Sequence, residues 1–139
     1  IGRLDKNTCG LIFFTNNGSF NTFLTSKDNN IQKTYYVILK DEVSLVEQKK
    51  YIDLCKNGLI LPKEKKSTDC FVNNQILTFI NSNSCYITIT EGKFHQVRRT
   101  FLALNNEVTF LQRIKIGNYQ LDDLQEGCVK IIKNIKKIF

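Results

Sequence analysis

The chain has 139 residues, 42% of them hydrophobic and 24% charged, with a single proline; this suits one folded domain with a real core and excludes intrinsic disorder. Twenty Lys and Arg against 13 Asp and Glu leave a net charge of +7, which favours a polyanionic partner, most simply nucleic acid. No apolar run approaches the ~20 residues that a membrane-spanning helix needs, and the first residues lack a signal-peptide layout.

Five cysteines (Cys9, Cys55, Cys70, Cys85, Cys128) stand singly, with no C-x-x-C pair and one histidine in the chain. That pattern argues against a disulfide framework and against a metal site, and it predicts reduced thiols in a cytoplasmic compartment. Cys70 and Cys85 sit among apolar residues and read as small buried hydrophobes. The chain contains no methionine, so Ile1 is expected not to be the first residue translated, and a segment is expected before it.

In chain order, LIFFT (residues 11–15) lies between a Gly10 turn and Asn17-Gly18 and predicts a buried strand. A short helix is expected over Ser19 to Thr25, then a strand in KTYYVILK (33–40), which is rich in aromatic and β-branched types. Residues 44–58 place Ser44 and Glu47 in capping-box spacing, repeat apolar residues at helical intervals and stop at Gly58. The KEKK run (63–66) reads as a solvated loop, with a phosphate contact as the alternative.

Strands follow at 69–72, 76–81 and 84–90, the last alternating Cys85, Ile87 and Ile89 with Tyr86, Thr88 and Thr90. From His95 the period becomes helical, with Val97, Phe101 and Leu104 on one stripe and Asn105-Asn106 as the stop. Strands at 107–116 and 128–133 complete the reading. Strands in adjacent runs, without strict alternation with helices, predict an α+β domain with a mostly antiparallel mixed sheet and flanking helices.

One acidic residue stands out. Asp5 follows an apolar residue in GRLD, with Arg3 before it and glycines at positions 2 and 10. Taken alone, the favoured reading is an Asx-turn or a loop cap. The set GRLDKNTCGL, TNNG, KTY and EGKFHQVRR, in this order and at these separations, resembles the pseudouridine synthases that modify ribosomal RNA. The HQV of EGKFHQVRR resembles most the branch acting on small-subunit RNA. The likeness runs from Ile1 to the final predicted strand and includes LQRIKIG (111–117) and LDDLQEG (121–127).

The resemblance implies an enzyme that detaches a uracil from its ribose in RNA, turns it and rejoins it through carbon 5, with no metal or cofactor. Asp5 matches the essential carboxylate, acting either as nucleophile at the sugar or as the base that forms a glycal. Arg98 matches the cation that grips this carboxylate through two parallel hydrogen bonds. Tyr35 matches the aromatic residue that stacks on the target base, while Tyr36, next along a strand, faces the other way and packs in the core. Arg99 lies about 100° round the helix from Arg98 and is assigned to the RNA backbone or the surface.

Arg3, Lys33, Arg113, His95 and Gln96 are further candidates for RNA contact, and Lys115 a weaker one. Thr8 is expected to order the Asp5 turn through a local hydrogen bond. The chain departs from the pattern in STDC (67–70), where relatives often read TKPA, and in Phe101, where methionine is common. By the resemblance, residues 1–139 form a pseudouridine synthase catalytic domain lacking its N-terminal portion and any S4-like RNA-binding domain, acting as a monomer. The alternative is a non-catalytic ribosome-assembly factor that binds RNA with the same fold.

Overall fold

The structure, a computed structural model, describes residues 1–134. Its elements in chain order are β1 (Cys9–Gly10), α1 (Gly18–Thr25), a 3-10 turn (Lys27–Asn29), β2 (Lys33–Leu39), α2 (Leu45–Asn57), β3 (Leu59–Leu61), β4 (Cys70–Val72), β5 (Ile76–Phe79), β6 (Ser84–Ile89), α3 (Gln96–Ala103), β7 (Val108–Ile116) and β8 (Tyr119–Gln120). Among the described residues the main sheet runs β1-β7-β2-β6-β5, with β8 added to β7, and β3-β4 form a separate hairpin. Only β1 pairs in parallel, with β7; every other pairing is antiparallel. The α+β class and the mostly antiparallel sheet are as expected.

Local chemistry sets the helix ends. The Asn17 side chain accepts from the Phe20 N–H at the start of α1, and Ser44 Oγ accepts from the Glu47 N–H at the start of α2. Gly58 ends α2 at φ 142°, and a Cβ there would lie 2.3 Å from the Phe71 ring. A side chain at position 58 would therefore displace the exposed Phe71 ring and be strained at this φ.

The principal core lies between one face of the sheet and helices α2 and α3. Val37 and Leu39 of β2, Cys85 and Ile87 of β6, and Leu111 of β7 meet Tyr51 and Cys55 of α2 and Phe101 of α3. The alternation expected in β6 holds, with Cys85, Ile87 and Ile89 all buried. Tyr36 does face the other way, but it does not enter the core. It packs at 5.9 Å from Tyr86 and 6.0 Å from Phe110 on the half-exposed outer face.

Burial pushes the Cys55 and Cys85 thiols up from 9.0 to about 12, and at Cys85 the neighbouring Cys55 adds to the shift. In the unfolded chain these thiols ionise first. The stability they contribute is complete below pH 9.0 and falls as pH rises through the folded value near 12. Urea midpoints are expected to drop between about pH 8 and about pH 10.5, and a Cys55→Ala/Cys85→Ala variant to lose most of that slope. An unchanged slope in the variant would place the alkaline sensitivity elsewhere.

Three expectations change. LIFFT is not a strand, since only Cys9 and Gly10 join the ladder, paired with Gln112 and Arg113. Beyond them β8 takes the same edge of β7, pairing Lys115 with Gln120 and Ile116 with Tyr119, so nothing is left for LIFFT to pair with. It instead buries Leu11 and Phe13 with Leu24 and Ile116 in a second core. The expected strand at 128–133 is also absent, with Val129 and Ile131 over 80% exposed; β7 has no free edge to receive it, being held by β2 on its other side. Cys70 is only half-buried, at the first position of β4 opposite Leu61 in the small hairpin.

Candidate active site

The Asp5 turn is closed by a backbone bond in which the Thr8 N–H donates to the Asp5 carbonyl at 2.9 Å. The expected hydroxyl bond does not form, and Thr8 Oγ1 is buried without a partner. Directly after the turn, Gly10 at φ 107° lies flush against β7. A Cβ there would sit 2.2 Å from the Arg113 carbonyl oxygen. Glycine is required for this approach, which docks the segment carrying Asp5 onto the sheet.

The Asp5 side chain is one-third exposed, and its one ionisable partner within ion-pair distance among the described residues is His95, with Nε2 3.7 Å from Oδ1. The Arg98–Asp5 ion pair expected from the resemblance is not made. Arg98 Nη2 donates to the Asn7 carbonyl at 2.8 Å, and Nη1 points to the Val108 carbonyl at 3.5 Å. Arg98 thus ties the Asp5 turn to the start of β7 through the main chain, because those carbonyls occupy its donors.

His95 opens α3 in the left-handed region at φ 46°, with its ring stacked on Phe94 at 3.9 Å. Its Nδ1 lies 2.9 Å from Glu64 Oε1. Glu64 belongs to the KEKK run, and sequence reasoning passed over it as part of a solvated loop. A carboxylate three residues before a serine (Ser67) was the available signal. Ser67 Oγ accepts from the Glu64 N–H at 2.9 Å and donates to the Glu64 carbonyl, making a compact turn.

Three candidates for RNA contact are buried. Arg99 is 1% exposed and donates to the carbonyls of Pro62, Phe94 and Thr68 at 2.9, 2.9 and 2.7 Å. The helix turn that sends Arg98 outward sends Arg99 into the seam between α3 and the 62–68 loop. Gln96 is buried as well, donating to Gln75 Oε1 at 3.0 Å and accepting from the Lys93 N–H. Arg113 is 2% exposed and donates through Nε to the Leu11 carbonyl at 2.8 Å. These side chains are committed to the interior and do not present themselves to a phosphate.

Tyr35 stands opposite Ile87 on one side and Arg113 on the other, half-buried at the edge of the main core. Lys33 lies two residues earlier on the same face of β2, opposite Ile89 and Ile116. Burial, and secondarily the Arg113 charge, hold the Lys33 ammonium below its ordinary 10.5. Arg3 is exposed at the entrance to the Asp5 turn. Among the described residues no three His, Cys, Asp or Glu side chains gather as a metal ion would require, and no helix is long and apolar enough to cross a membrane.

A carboxylate at a glycine-flanked turn is thus docked on a mostly antiparallel sheet beside the start of α3. The chain belongs to the RNA pseudouridylate synthase family, whose model matches residues 1–103. It is 41% identical over 127 residues to the ribosomal small subunit pseudouridine synthase A of Haemophilus influenzae, covering 91% of this chain and 51% of that protein. It is 35% identical over 127 residues to the protein of the same name from Escherichia coli K12, covering 91% and 52%. A solved pseudouridylate synthase superposes with a TM-score of 0.77 at 37% identity, covering 87% of this chain and 49% of that one. The chain thus spans about half the length of these relatives.

Proposed function

We propose that this chain carries the catalytic centre of a ribosomal RNA pseudouridine synthase acting on a uridine of small-subunit RNA. The observation that carries the reading is the Asp5 turn. The Asp5 carboxylate makes no side-chain hydrogen bond among the described residues, and its turn is held by the Thr8 N–H on the Asp5 carbonyl and the Arg98 guanidinium on the Asn7 carbonyl. The names of the relatives at 35% and 41% identity favour the small ribosomal subunit as the source of the RNA.

In this reading Asp5 acts at the sugar of the target nucleotide, as nucleophile at carbon 1′ or as base toward a sugar proton. The bond from carbon 1′ to N1 breaks, the uracil turns, and carbon 1′ joins carbon 5. The carbon 5 proton leaves and N1 gains one, so the change is an isomerisation that needs no electron acceptor, metal or cofactor. Tyr35 stacks on the base from the β2 side, and Arg98 keeps the Asp5 turn in register with β7. Arg3 and Lys33 line the approach and meet the RNA, which must deliver its uridine unstacked, while His95 stands beside Asp5. The protein works as a monomer in the cytoplasm.

The test is tritium release. The complete protein, mixed with small-subunit RNA labelled at carbon 5 of uridine, is expected to release label to solvent in proportion to pseudouridine formed at one site. Binding of the RNA without any release would establish the non-catalytic assembly factor instead.

A further inference from the structure

Glu64 and His95 have no part in the mechanism above beyond a place for His95 beside Asp5, yet both are built into the structure around Asp5. Glu64 Oε1 lies 2.9 Å from His95 Nδ1, and the opposite ring nitrogen, Nε2, lies 3.7 Å from Asp5 Oδ1. Both neighbours are carboxylates, which only accept, so each ring nitrogen can engage its neighbour only as an N–H donor, Nδ1 to Glu64 and Nε2 toward Asp5. The Glu64 bond sets the plane of the ring, and therefore which atom faces Asp5.

The surroundings hold this arrangement rigidly. His95 sits at φ 46°, a left-handed conformation that a non-glycine residue keeps only when its neighbours enforce it. Phe94 covers the ring face at 3.9 Å and 13°. Glu64 is locked by the Ser67 turn. Arg99 joins Pro62, Thr68 and Phe94, so one buried guanidinium holds the loop carrying Glu64 and the residue preceding His95 in a single frame.

We infer that Glu64 and His95 are a positioning pair for Asp5: Glu64 orients the imidazole, and the imidazole braces Oδ1 so that the other carboxylate oxygen is turned toward the target nucleotide. The role rests on the reading of Asp5 as the catalytic carboxylate. It separates His95 from the RNA backbone and gives the charge of Glu64, set amid the KEKK lysines, a task facing inward.

Two measurements on the complete protein test this. The first is independent of activity: the imidazole nitrogen resonances of His95, assigned by their loss in His95→Gln. Nδ1 is expected to resonate as a protonated nitrogen, to lose that signature in Glu64→Ala, and to keep it in Glu64→Gln, whose amide oxygen still accepts. Asp5→Asn is expected to shift Nε2. An unprotonated Nδ1 in the wild type, or an Nε2 indifferent to Asp5→Asn, overturns the pairing whether or not the protein is active.

The second is a double-mutant cycle on tritium release. Glu64→Ala and His95→Ala are each expected to lower kcat about ten- to a hundredfold with KM for RNA nearly unchanged, and Glu64→Gln to recover most of the loss. The double variant is expected to be no worse than His95→Ala alone. Additive losses, or an effect confined to KM, overturn the positioning role. A wild type that releases no tritium while its imidazole couplings are intact overturns the catalytic reading of Asp5 instead.

Discussion

Asp5→Asn in the complete protein abolishes tritium release, by roughly 10³-fold or more, while RNA affinity stays within about twofold and the melting temperature is nearly unchanged. Asparagine is isosteric with aspartate, so the comparison isolates the charge. The bond that closes the turn runs from the Thr8 N–H to the Asp5 main-chain carbonyl, which the substitution leaves intact. The carboxylate itself makes no hydrogen bond among the described residues and is one-third exposed, so its loss removes little folding energy. Removing a negative charge aimed at a polyanion cannot weaken RNA binding electrostatically. Retained pseudouridine formation in this variant would remove Asp5 from the mechanism.

Arg99→Ala costs the fold about 3–5 kcal/mol, a large share of the 5–15 kcal/mol available to a domain of this kind. The guanidinium is 1% exposed and satisfied by three carbonyls from separate segments, Pro62, Thr68 and Phe94. Truncation strands those carbonyls and empties the seam between α3 and the 62–68 loop. Arg99→Lys is expected to recover only part of the loss, because one ammonium cannot reproduce three donors fixed in a planar fork. Urea denaturation reads both variants, and a cost below about 1 kcal/mol for Arg99→Ala would show that the clamp carries little. Exposed Arg3 gives the contrast: Arg3→Ala should leave stability within about 0.5 kcal/mol.

The elements that the sequence made legible are those whose signal lies within a few residues. Ser44 and Glu47 announce α2, Val97 and Phe101 mark the buried stripe of α3, and the alternation through Cys85, Ile87 and Ile89 marks β6. The elements that were missed or displaced depend on ladder partners. β3 and β8, of three and two residues, are too short to show a period, and LIFFT loses its place because β8 takes the edge of β7. No local pattern in LIFFT records what occupies that edge.

The site divides in the same way. Asp5 was legible because GRLD and EGKFHQVRR occur together, whereas the close approach of Gly10 to β7 came only from the fold. The work done by the two arginines was not legible either. Helical spacing separates Arg98 from Arg99 but does not say which is buried; the answer came from carbonyls 31 and 37 residues away for Arg99 and 91 residues away for Arg98. Glu64 was hidden by its lysine neighbours, and its turn toward His95 spans 31 residues of chain.

The sequence by itself determined the α+β class and the family and singled out Asp5 as the candidate carboxylate, because periodicity, caps and short motifs are properties of neighbouring residues. Only the tertiary structure decided that Arg98 holds the turn and not the carboxylate, that Arg99 and Arg113 are interior donors, and that Asp5 faces a histidine held by Glu64. A long polar side chain bonds wherever packing brings an unpaired carbonyl or carboxylate within reach. For these residues that partner lies dozens of positions away, beyond any local rule.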